Sequence, residues 1–198
     1  PEAVPGWRDT RRRWTARRVQ LSVGVVVGLG GRSRDGEGEP RVNDASTWLT
    51  SHRHLLPAEG DALDLACGSG RNAVWLAEQG FRTLAVDRND AALDTLAQEA
   101  TQRGLSIRSQ LVDLENGEPF FTPDTFDLIV IVHYLHRPLF PALVSALRPE
   151  GVLVYETFTR AQAARGKPTN PAFLLEPGEL LTLVRPPEIL ATREGHFE

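Results

Sequence analysis

A glycine-rich turn between two apolar runs constrains this chain more than any other feature. Residues 63–72 read Leu-Asp-Leu-Ala-Cys-Gly-Ser-Gly-Arg-Asn, and Asp87 follows 19 positions after Gly68, at the end of a second apolar run. A short buried strand, a tight glycine turn and a helix, with an acid after the next strand, are typical of nucleotide-binding α/β sheets. The sequence therefore predicts a nucleotide pocket at this turn.

The position of the first acid discriminates between classes of nucleotide. Residues 68–73 also satisfy the dinucleotide pattern G-x-G-x-x-G/A, so the glycines alone leave an NAD-type oxidoreductase open. A pyrophosphate binds the backbone N–H groups of such a loop and the N-terminus of its helix, and a carboxylate at Asp64 would repel it. S-adenosylmethionine has no phosphate and carries a sulfonium and an ammonium group, so a carboxylate beside the loop suits it better.

The same residues resemble a known motif. Residues 63–72 resemble motif I of the class I S-adenosylmethionine-dependent methyltransferases. Residues 67–72, followed by Trp75-Leu76-Ala77 and Gly80, are most similar to the small tellurite-resistance-type branch. The resemblance covers roughly residues 43–195. It implies a doubly wound, Rossmann-like parallel sheet, S-adenosylmethionine as the cofactor, and methyl transfer as the reaction.

The resemblance also assigns a cofactor site. Asp64 and the backbone of residues 66–70 look like the cradle for methionine and ribose, Asp87 like the acid that accepts both ribose hydroxyls, and Asp113 like the acid that accepts from the adenine amino group. The predicted cofactor-binding residues are Asp64, Ala66, Cys67, Gly68, Ser69, Gly70, Asn72, Asp87, Arg88, Asp113, Leu114 and His133. The alternatives are helix-capping roles for Asp64 and Asp87, a surface aspartate at Asp113, and a solvated Arg88.

Two histidines, a tyrosine and an arginine follow the fourth predicted strand of the domain. Methyl transfer is an in-line displacement at an activated carbon, so the enzyme mostly orients the nucleophile and accepts its proton. We therefore predict His133, Tyr134, His136 and Arg137 as catalytic residues, with Arg137 suited to an anionic acceptor. The alternatives are solvated loop histidines and a tyrosine that only packs. Residues 166–173, which include a lysine and an asparagine, are a candidate lid or an ordinary polar connection.

Strands and helices alternate from Asp44 onwards. The pattern predicts strands at 62–66, 83–86, 106–112, 128–132, 152–155 and 188–192, with helices between them, which indicates a parallel sheet. Class I methyltransferases usually place a seventh, antiparallel strand between the fifth and the sixth. Because the sequence given stops soon after the sixth, we expect that strand to be missing: either the sequence is a fragment, or the sheet is finished another way, or the last strand is loosely held. An unfilled slot would leave ladder hydrogen bonds open.

Composition divides the chain in two. Residues 1–41 hold nine arginines and five acids and are rich in glycine, so we expect a disordered or non-native extension, with an organelle-targeting segment as the lesser alternative. Its apolar run is too short to span a membrane. Residues 42–198 form the predicted domain, with 13 basic and 21 acidic residues.

That acidic domain disfavours nucleic acid as the partner and favours a small-molecule methyl acceptor. The single cysteine excludes an intramolecular disulfide and suits the cytoplasm. No metal-ligand spacing is found in the sequence. The oligomeric state is not indicated, and a non-catalytic module that binds S-adenosylmethionine stays open beside the enzyme.

Overall fold

The computed structural model describes residues 20–27, 44–117, 120–185 and 188–196. It contains five α-helices: α1 (Thr47–Ser51), α2 (Arg71–Glu78), α3 (Asp90–Arg103), α4 (Phe140–Ala146) and α5 (Glu179–Val184). Its seven strands are β1 (Gln20–Val27), β2 (Asp61–Leu65), β3 (Arg82–Asp87), β4 (Ile107–Leu111), β5 (Phe126–Val132), β6 (Leu147–Phe158) and β7 (Glu188–His196). Short 3-10 turns lie at Arg53–Leu55, Arg137–Leu139, Arg160–Ala164 and Pro171–Phe173.

The strands form one sheet in the order β4-β3-β2-β5-β6-β1-β7. Every strand pair in the described part of the chain is parallel. Strand order reverses between β2 and β5, which is where open α/β sheets bind ligands, outside the carboxyl ends of the strands. The predicted fold class, the Rossmann-like sheet of class I methyltransferases, is confirmed.

The slot next to β6 is filled by a strand that the sequence did not indicate. β1 pairs with β6 from Gln20↔Val152 to Val26↔Phe158, and with β7 on its other side. The usual antiparallel strand is absent from the described residues, as expected, but the slot is not open. The expectation that residues 1–41 lie outside the fold is therefore wrong for 20–27; the rest of that segment lies outside the described residues. Four valines in this run favour an extended backbone.

Several boundaries differ from the sequence prediction for local reasons. Helix α1 begins after Ser46, whose hydroxyl accepts from the Leu49 N–H at 3.3 Å and caps the helix. Before β6, the chain forms the 3-10 turn Arg137–Leu139 and then the short helix α4. β6 is correspondingly longer than predicted, with an irregular register against β5 between Phe126 and Leu128.

Alternate side chains of the central strands pack on opposite faces of the sheet. Leu63, Leu65, Ile129 and Ile131 join one apolar cluster, whereas Leu128, Val130 and Val154 join the other. Fully burying side chains of this size contributes roughly 1.5–3 kcal/mol each. This two-sided core holds the carboxyl ends of β2 and β5 in place. None of the helices in the described ranges is long and apolar enough to span a membrane.

Candidate functional site

A cavity of about 680 Å³ opens at the carboxyl edge of the sheet. One side is lined by residues that follow β2, β3 and β4: Ala66, Asp87, Arg88, Val112, Asp113, Leu114 and Glu115. The other side is lined by residues that follow β5 and β6: His133, Tyr134, Leu135, Phe158, Lys167, Pro168, Thr169, Asn170 and Phe173. Seven of the fifteen predicted site residues lie in this lining.

The glycine turn after β2 leaves room above its backbone. Gly68 has φ +55°, and a Cβ placed there would have no atom within 4 Å, so the turn is open to a ligand. Gly70 has φ +81°, and a Cβ there would overlap the side chain of Leu96. Ala66 also has a positive φ, 55°, which costs a non-glycine residue on the order of 1–3 kcal/mol. The turn is thus a strained, open cradle at the cavity edge.

Asp64 lies beneath this turn rather than at the cavity lining. Its side chain is only 1% exposed, and its Oδ2 accepts a hydrogen bond from the Ala73 N–H at 2.9 Å, in the first turn of α2. Burial raises the pKa of the carboxyl to about 7, although the hydrogen bond from Ala73 and the charge of Arg71 oppose this. The geometry matches the helix-capping alternative.

Apart from Ala66, the other site residues predicted in the motif also lie outside the lining. Asn72 is buried and accepts from the Ser46 N–H at 2.9 Å. Burial raises the pKa of the Cys67 thiol above its ordinary value, which keeps it protonated and unreactive. Gly68 and Gly70 have no side chain, so they offer a ligand only the backbone of the turn, and Ser69 is exposed between them.

Asp87 lies at the end of β3, and its carboxylate can accept further hydrogen bonds. Its Oδ2 accepts from the Gly68 N–H at 2.7 Å and its Oδ1 from the Asn89 N–H at 2.9 Å. A carboxylate oxygen can accept two hydrogen bonds, so each oxygen retains a lone pair for a further donor. Two adjacent ligand hydroxyls fit this arrangement, and the carboxylate also ties the glycine turn to β3.

Asp113 and Arg88 complete this side of the cavity. Asp113 is exposed, and its Oδ1 accepts from the Glu115 N–H at 3.0 Å, whereas its Oδ2 has no partner in the described residues. The adjacent Leu114 is buried and contributes to the core. The Arg88 guanidinium is exposed at the lining. These positions suit a base whose amino group meets Asp113.

His133 projects from the end of β5 in a constrained position. Its φ is +59°, and its backbone N–H donates to the Glu156 carbonyl at 2.7 Å. Its ring stacks on Phe158, with centroids 4.6 Å apart and planes inclined by 17°. Burial by these neighbours, together with the charge of Arg71, lowers the pKa of His133 to about 4. The imidazole is therefore neutral at pH 7, and 43% of the side chain stays exposed.

Glu156, which sequence reasoning did not select, lies beside this histidine. Its Oε1 is 3.8 Å from His133 Nε2, and its Oε2 accepts from the Ser46 hydroxyl. The residue is 8% exposed, and burial raises its pKa, against the opposing effects of Ser46 and Arg71. An acid at the end of an otherwise apolar buried strand is the sequence signal that would have identified it.

Arg137 and His136 do not reach the cavity lining. The Arg137 guanidinium binds both Glu179 carboxylate oxygens at 2.6 and 2.9 Å, and donates to the carbonyls of Ala172 and Leu174 at 2.9 Å each. Its donors therefore hold protein rather than an anionic acceptor. His136 lies just before the 3-10 turn Arg137–Leu139. The structure thus separates these two residues from His133 and Tyr134.

Tyr134 lies in the cavity lining as predicted. Its hydroxyl is 3.5 Å from Glu115 Oε1, at the limit of a hydrogen bond. Burial, and then the nearby carboxylate of Glu115, raises the pKa of the phenol, so it stays protonated. Tyr134 can therefore donate a hydrogen bond but not accept a proton from a substrate. Among the described residues, no group of three or more metal-ligating side chains could hold a metal ion.

Comparison with known proteins gives one family match. Residues 62–151 match the family described as "Methyltransferase domain". The Bacillus subtilis (strain 168) methyltransferase YqeM is 30% identical over 132 residues, which cover 62% of this chain and 52% of that protein. The ubiquinone biosynthesis O-methyltransferase of Rickettsia bellii (strain OSU 85-389) is 27% identical over 127 residues, covering 63% of this chain and 52% of its own.

A solved structure of an S-adenosylmethionine-dependent methyltransferase from Mesorhizobium loti is 28% identical, with a TM-score of 0.47, and the match covers 56% of this chain and 53% of that one. The chain spans about half the length of the curated relatives it matches (52%). Residues 62–151, which include the glycine turn and Asp87, are thus similar to a methyltransferase domain, for which the sequence predicts S-adenosylmethionine as the cofactor. The open cradle over Gly68 and the unused lone pairs of Asp87 fit such a ligand.

Proposed function

We propose that the chain transfers the methyl group of S-adenosylmethionine to a small-molecule acceptor. The observation that carries this proposal is a single cavity that spans the switch point of the sheet. The predicted cofactor residues Asp87 and Asp113 lie on the side of β3 and β4, and His133 lies on the side of β5. Cofactor and acceptor would therefore meet at the ends of β2 and β5, the central strands of the domain.

The cofactor side supplies hydrogen bonds in the places the ligand would need them. Asp87 would accept hydrogen bonds from the ribose hydroxyls, Asp113 would accept one from the adenine amino group, and the open backbone at Gly68 would let the ligand approach closely. S-adenosylmethionine supplies a methyl carbon that is already activated by its sulfonium group. The cavity accordingly has to position the two reactants rather than create a nucleophile.

The acceptor side supplies a neutral base. Because His133 is unprotonated at pH 7, it can accept the proton that a hydroxyl, thiol or amine loses on methylation. Its Nδ1 has no hydrogen bond in the described part of the chain, and Glu156 lies within ion-pair distance of Nε2 once the ring is charged. We assign His133 the role of proton acceptor and Glu156 that of the residue that stabilises its protonated form.

The size and charge of the site support a small acceptor. A volume of about 680 Å³ lies within the range of roughly 300–1,000 Å³ typical of small-ligand sites. The excess of acidic residues in 42–198 disfavours nucleic acid. We also propose that the chain belongs to the tellurite-resistance-type branch, which is supported by residues 67–80 alone. A cytoplasmic location is likewise a proposal, and the single cysteine supports it.

The dinucleotide alternative is less well supported. In pyrophosphate-binding loops, the helix N-terminus after the glycine turn points free N–H groups at the phosphates. Here the Ala73 N–H of α2 is already bound to the Asp64 carboxyl. Calorimetry with NAD and with S-adenosylhomocysteine separates the two readings, because a dinucleotide enzyme would bind NAD and not S-adenosylhomocysteine.

The test of turnover uses His133→Phe, which keeps an aromatic ring stacked on Phe158 and removes the base. We expect wild type to form S-adenosylhomocysteine with at least one member of a panel of small phenols, thiols, amines and carboxylates. The variant should lose about 100-fold or more in kcat while its S-adenosylhomocysteine affinity changes little. A wild-type chain that binds the cofactor but methylates no panel member would instead be a binding module, and the enzyme proposal would be wrong.

A further inference from the structure

The cavity lining contains the single lysine of the sequence. Lys167 is the only lysine among the 198 residues, and the other 21 basic residues are arginines. It lies in the lining of the cavity, on the loop after β6. The proposed cofactor residues, by contrast, follow β3 and β4, on the other side of β5. The lysine is therefore on the side that the proposed function leaves to the acceptor.

The ammonium group of Lys167 has no hydrogen bond or ion pair within the described residues. Arginines near it are paired: Arg160 with Glu176 at 2.6 Å and Arg137 with Glu179 at 2.6 Å. Glu176 and Glu179 are thus paired with arginines, and the carboxylates of Asp87, Asp113 and Glu115 line the opposite side of the cavity, so the lysine has no ion pair within the described residues. A cation without a counter-ion on the wall of a partly apolar cavity favours an anionic ligand.

The backbone that carries this lysine is held in place. Gln162, only 7% exposed, donates from its Nε2 to the Lys167 carbonyl at 2.8 Å. Further along the loop, Arg137 donates to the carbonyls of Ala172 and Leu174. The loop is therefore fixed at several points before any ligand arrives, so that binding costs less ordering of the chain.

The surroundings of the lysine are apolar and largely aromatic. Tyr134, Leu135, Phe158 and Phe173 line the same side of the cavity. Phe173 is 49% exposed, so its ring is accessible to a ligand in the cavity. Flat rings pack well against such surfaces, through offset stacking or edge contacts. The combination is one cation beside several rings.

From this arrangement we propose that the methyl acceptor is an aromatic acid whose carboxylate binds the Lys167 ammonium and whose ring lies against Tyr134, Phe158 and Phe173. The proposal rests on the proposed function, because it assigns the acceptor of that reaction. It also gives Lys167 the anion-binding role that the sequence suggested for Arg137. A carboxylate also occurs at the amino-acid end of the cofactor, so the experiment has to distinguish the two sources.

The test compares acids with their uncharged amides. Chain saturated with S-adenosylhomocysteine is titrated calorimetrically with benzoate, phenylacetate and indole-3-acetate, each beside the corresponding amide. We expect wild type to bind at least one acid about tenfold or more tightly than its amide, in keeping with a charge-assisted contact. Lys167→Gln should bring that ratio close to one. Arg165→Gln, which removes a positive charge from the same loop outside the lining, should keep it.

The outcomes separate this proposal from the one on which it rests. If no acid is preferred to its amide, or if the preference survives in Lys167→Gln, the aromatic-acid proposal is overturned while cofactor binding stands. If Lys167→Gln instead weakens S-adenosylhomocysteine about tenfold, the lysine binds the cofactor carboxylate, and the acceptor proposal is again overturned. Failure of wild type to bind S-adenosylhomocysteine at all contradicts the methyltransferase proposal itself.

The uniqueness of Lys167 allows a second readout. Acylation of lysine side chains, mapped by peptide mass spectrometry, can occur at this position alone. The preferred acid should slow the acylation of Lys167, and its amide should not. Equal protection by both would show that the ligand covers the lysine without pairing with its charge, which contradicts the proposal.

Discussion

The ionisable groups at the two edges of the sheet differ in which form, charged or neutral, their surroundings favour. At the amino edge, Asp61 accepts from Arg82 at 2.8 and 3.0 Å and from Arg148 at 2.8 Å, and these contacts lower its pKa to about 2. At the carboxyl edge, burial raises the pKa of Asp64 to about 7 and lowers that of His133 to about 4. Ion pairing favours charged groups at the first edge, whereas burial favours neutral groups at the second.

This difference separates stability from chemistry. At the amino edge, Asp61 is paired with Arg82 and Arg148, and Asp127 is paired with Arg148. These carboxylates therefore contribute to the stability of the fold and are not free to bind a ligand. At the carboxyl edge, Asp113 Oδ2 and the Lys167 ammonium have no partner in the described residues, and both residues line the cavity. Unpaired polar groups and groups with shifted pKa values concentrate where ligands bind. Substitutions at the two edges should accordingly affect different measurements.

The largest expected effect is at the carboxyl edge, on binding. Asp87→Ala should weaken S-adenosylhomocysteine by about 1.5–3 kcal/mol, because its hydrogen bonds to the ribose are charge-assisted. Isothermal titration calorimetry measures the loss. Asp90→Ala, which removes a nearby acid in the first turn of α3, is the matched control and should bind normally. Equal affinity in wild type and Asp87→Ala would show that this carboxylate only ties the glycine turn to β3.

A smaller effect, on stability alone, is expected at the amino edge. Asp127 Oδ2 accepts from the Asp61 N–H at 2.8 Å and from Arg148. Asp127→Ala should lower the free energy of unfolding by about 1–2 kcal/mol, because it leaves both donors without this acceptor. Urea unfolding measures the loss, and Asp127→Asn, which keeps an acceptor, should recover part of it. If the Asp127→Ala variant folds but binds S-adenosylhomocysteine with a changed affinity, the amino edge would affect ligand binding as well as stability, and the two edges would not be independent.

Effects of opposite sign are expected in the pH dependence of stability at the two edges. The folded-state pKa of Asp64, about 7, lies above the ordinary 3.8, so its contribution is complete below about pH 4 and is lost as pH rises through 7. The folded-state pKa of Asp61, about 2, lies below 3.8, so its contribution is complete above about pH 4 and is lost as pH falls through 2. Urea unfolding of wild type, Asp64→Asn and Asp61→Asn at pH 3, 5 and 8 measures both.

Each substitution should flatten one side of the stability profile and leave the other side unchanged. Asp64→Asn should remove part of the decline between pH 5 and 8, and Asp61→Asn part of the decline between pH 5 and 3. If both substitutions changed the same side of the profile, the two edges would not differ in the way the structure indicates.

The features that could be predicted from the sequence are those that depend on residues close together in the chain. The glycine turn and Asp87 were identified because a positive φ requires glycine and because parallel strands bring their carboxyl ends to one edge. The contact of His133 with Glu156 could not be identified from the sequence, because it depends on the register between β5 and β6. The partner of Arg137 could not be identified either, because Glu179 lies 42 positions away.

β1 was missed for a related reason. Its run of valines has the composition of a buried strand, but it lies in a segment rich in arginine and glycine, and local patterns carry no information about a slot that forms between β6 and β7. Asp64 illustrates the opposite case: its position in the sequence was informative, yet its side chain turned out to cap a helix.

The position of β1 has a consequence for the order in which the chain can fold. Gln20 pairs with Glu188, 168 positions later, and β7 has no other strand partner in the described sheet. During synthesis β1 is made before β2 to β5, but its partners β6 and β7 are made after them. The strands β2 to β5 can pair meanwhile, whereas β1 stays unpaired until β6 has been made. An unpaired strand edge of this kind makes a nascent chain prone to aggregation, so the position of β1 increases the dependence of the chain on chaperones.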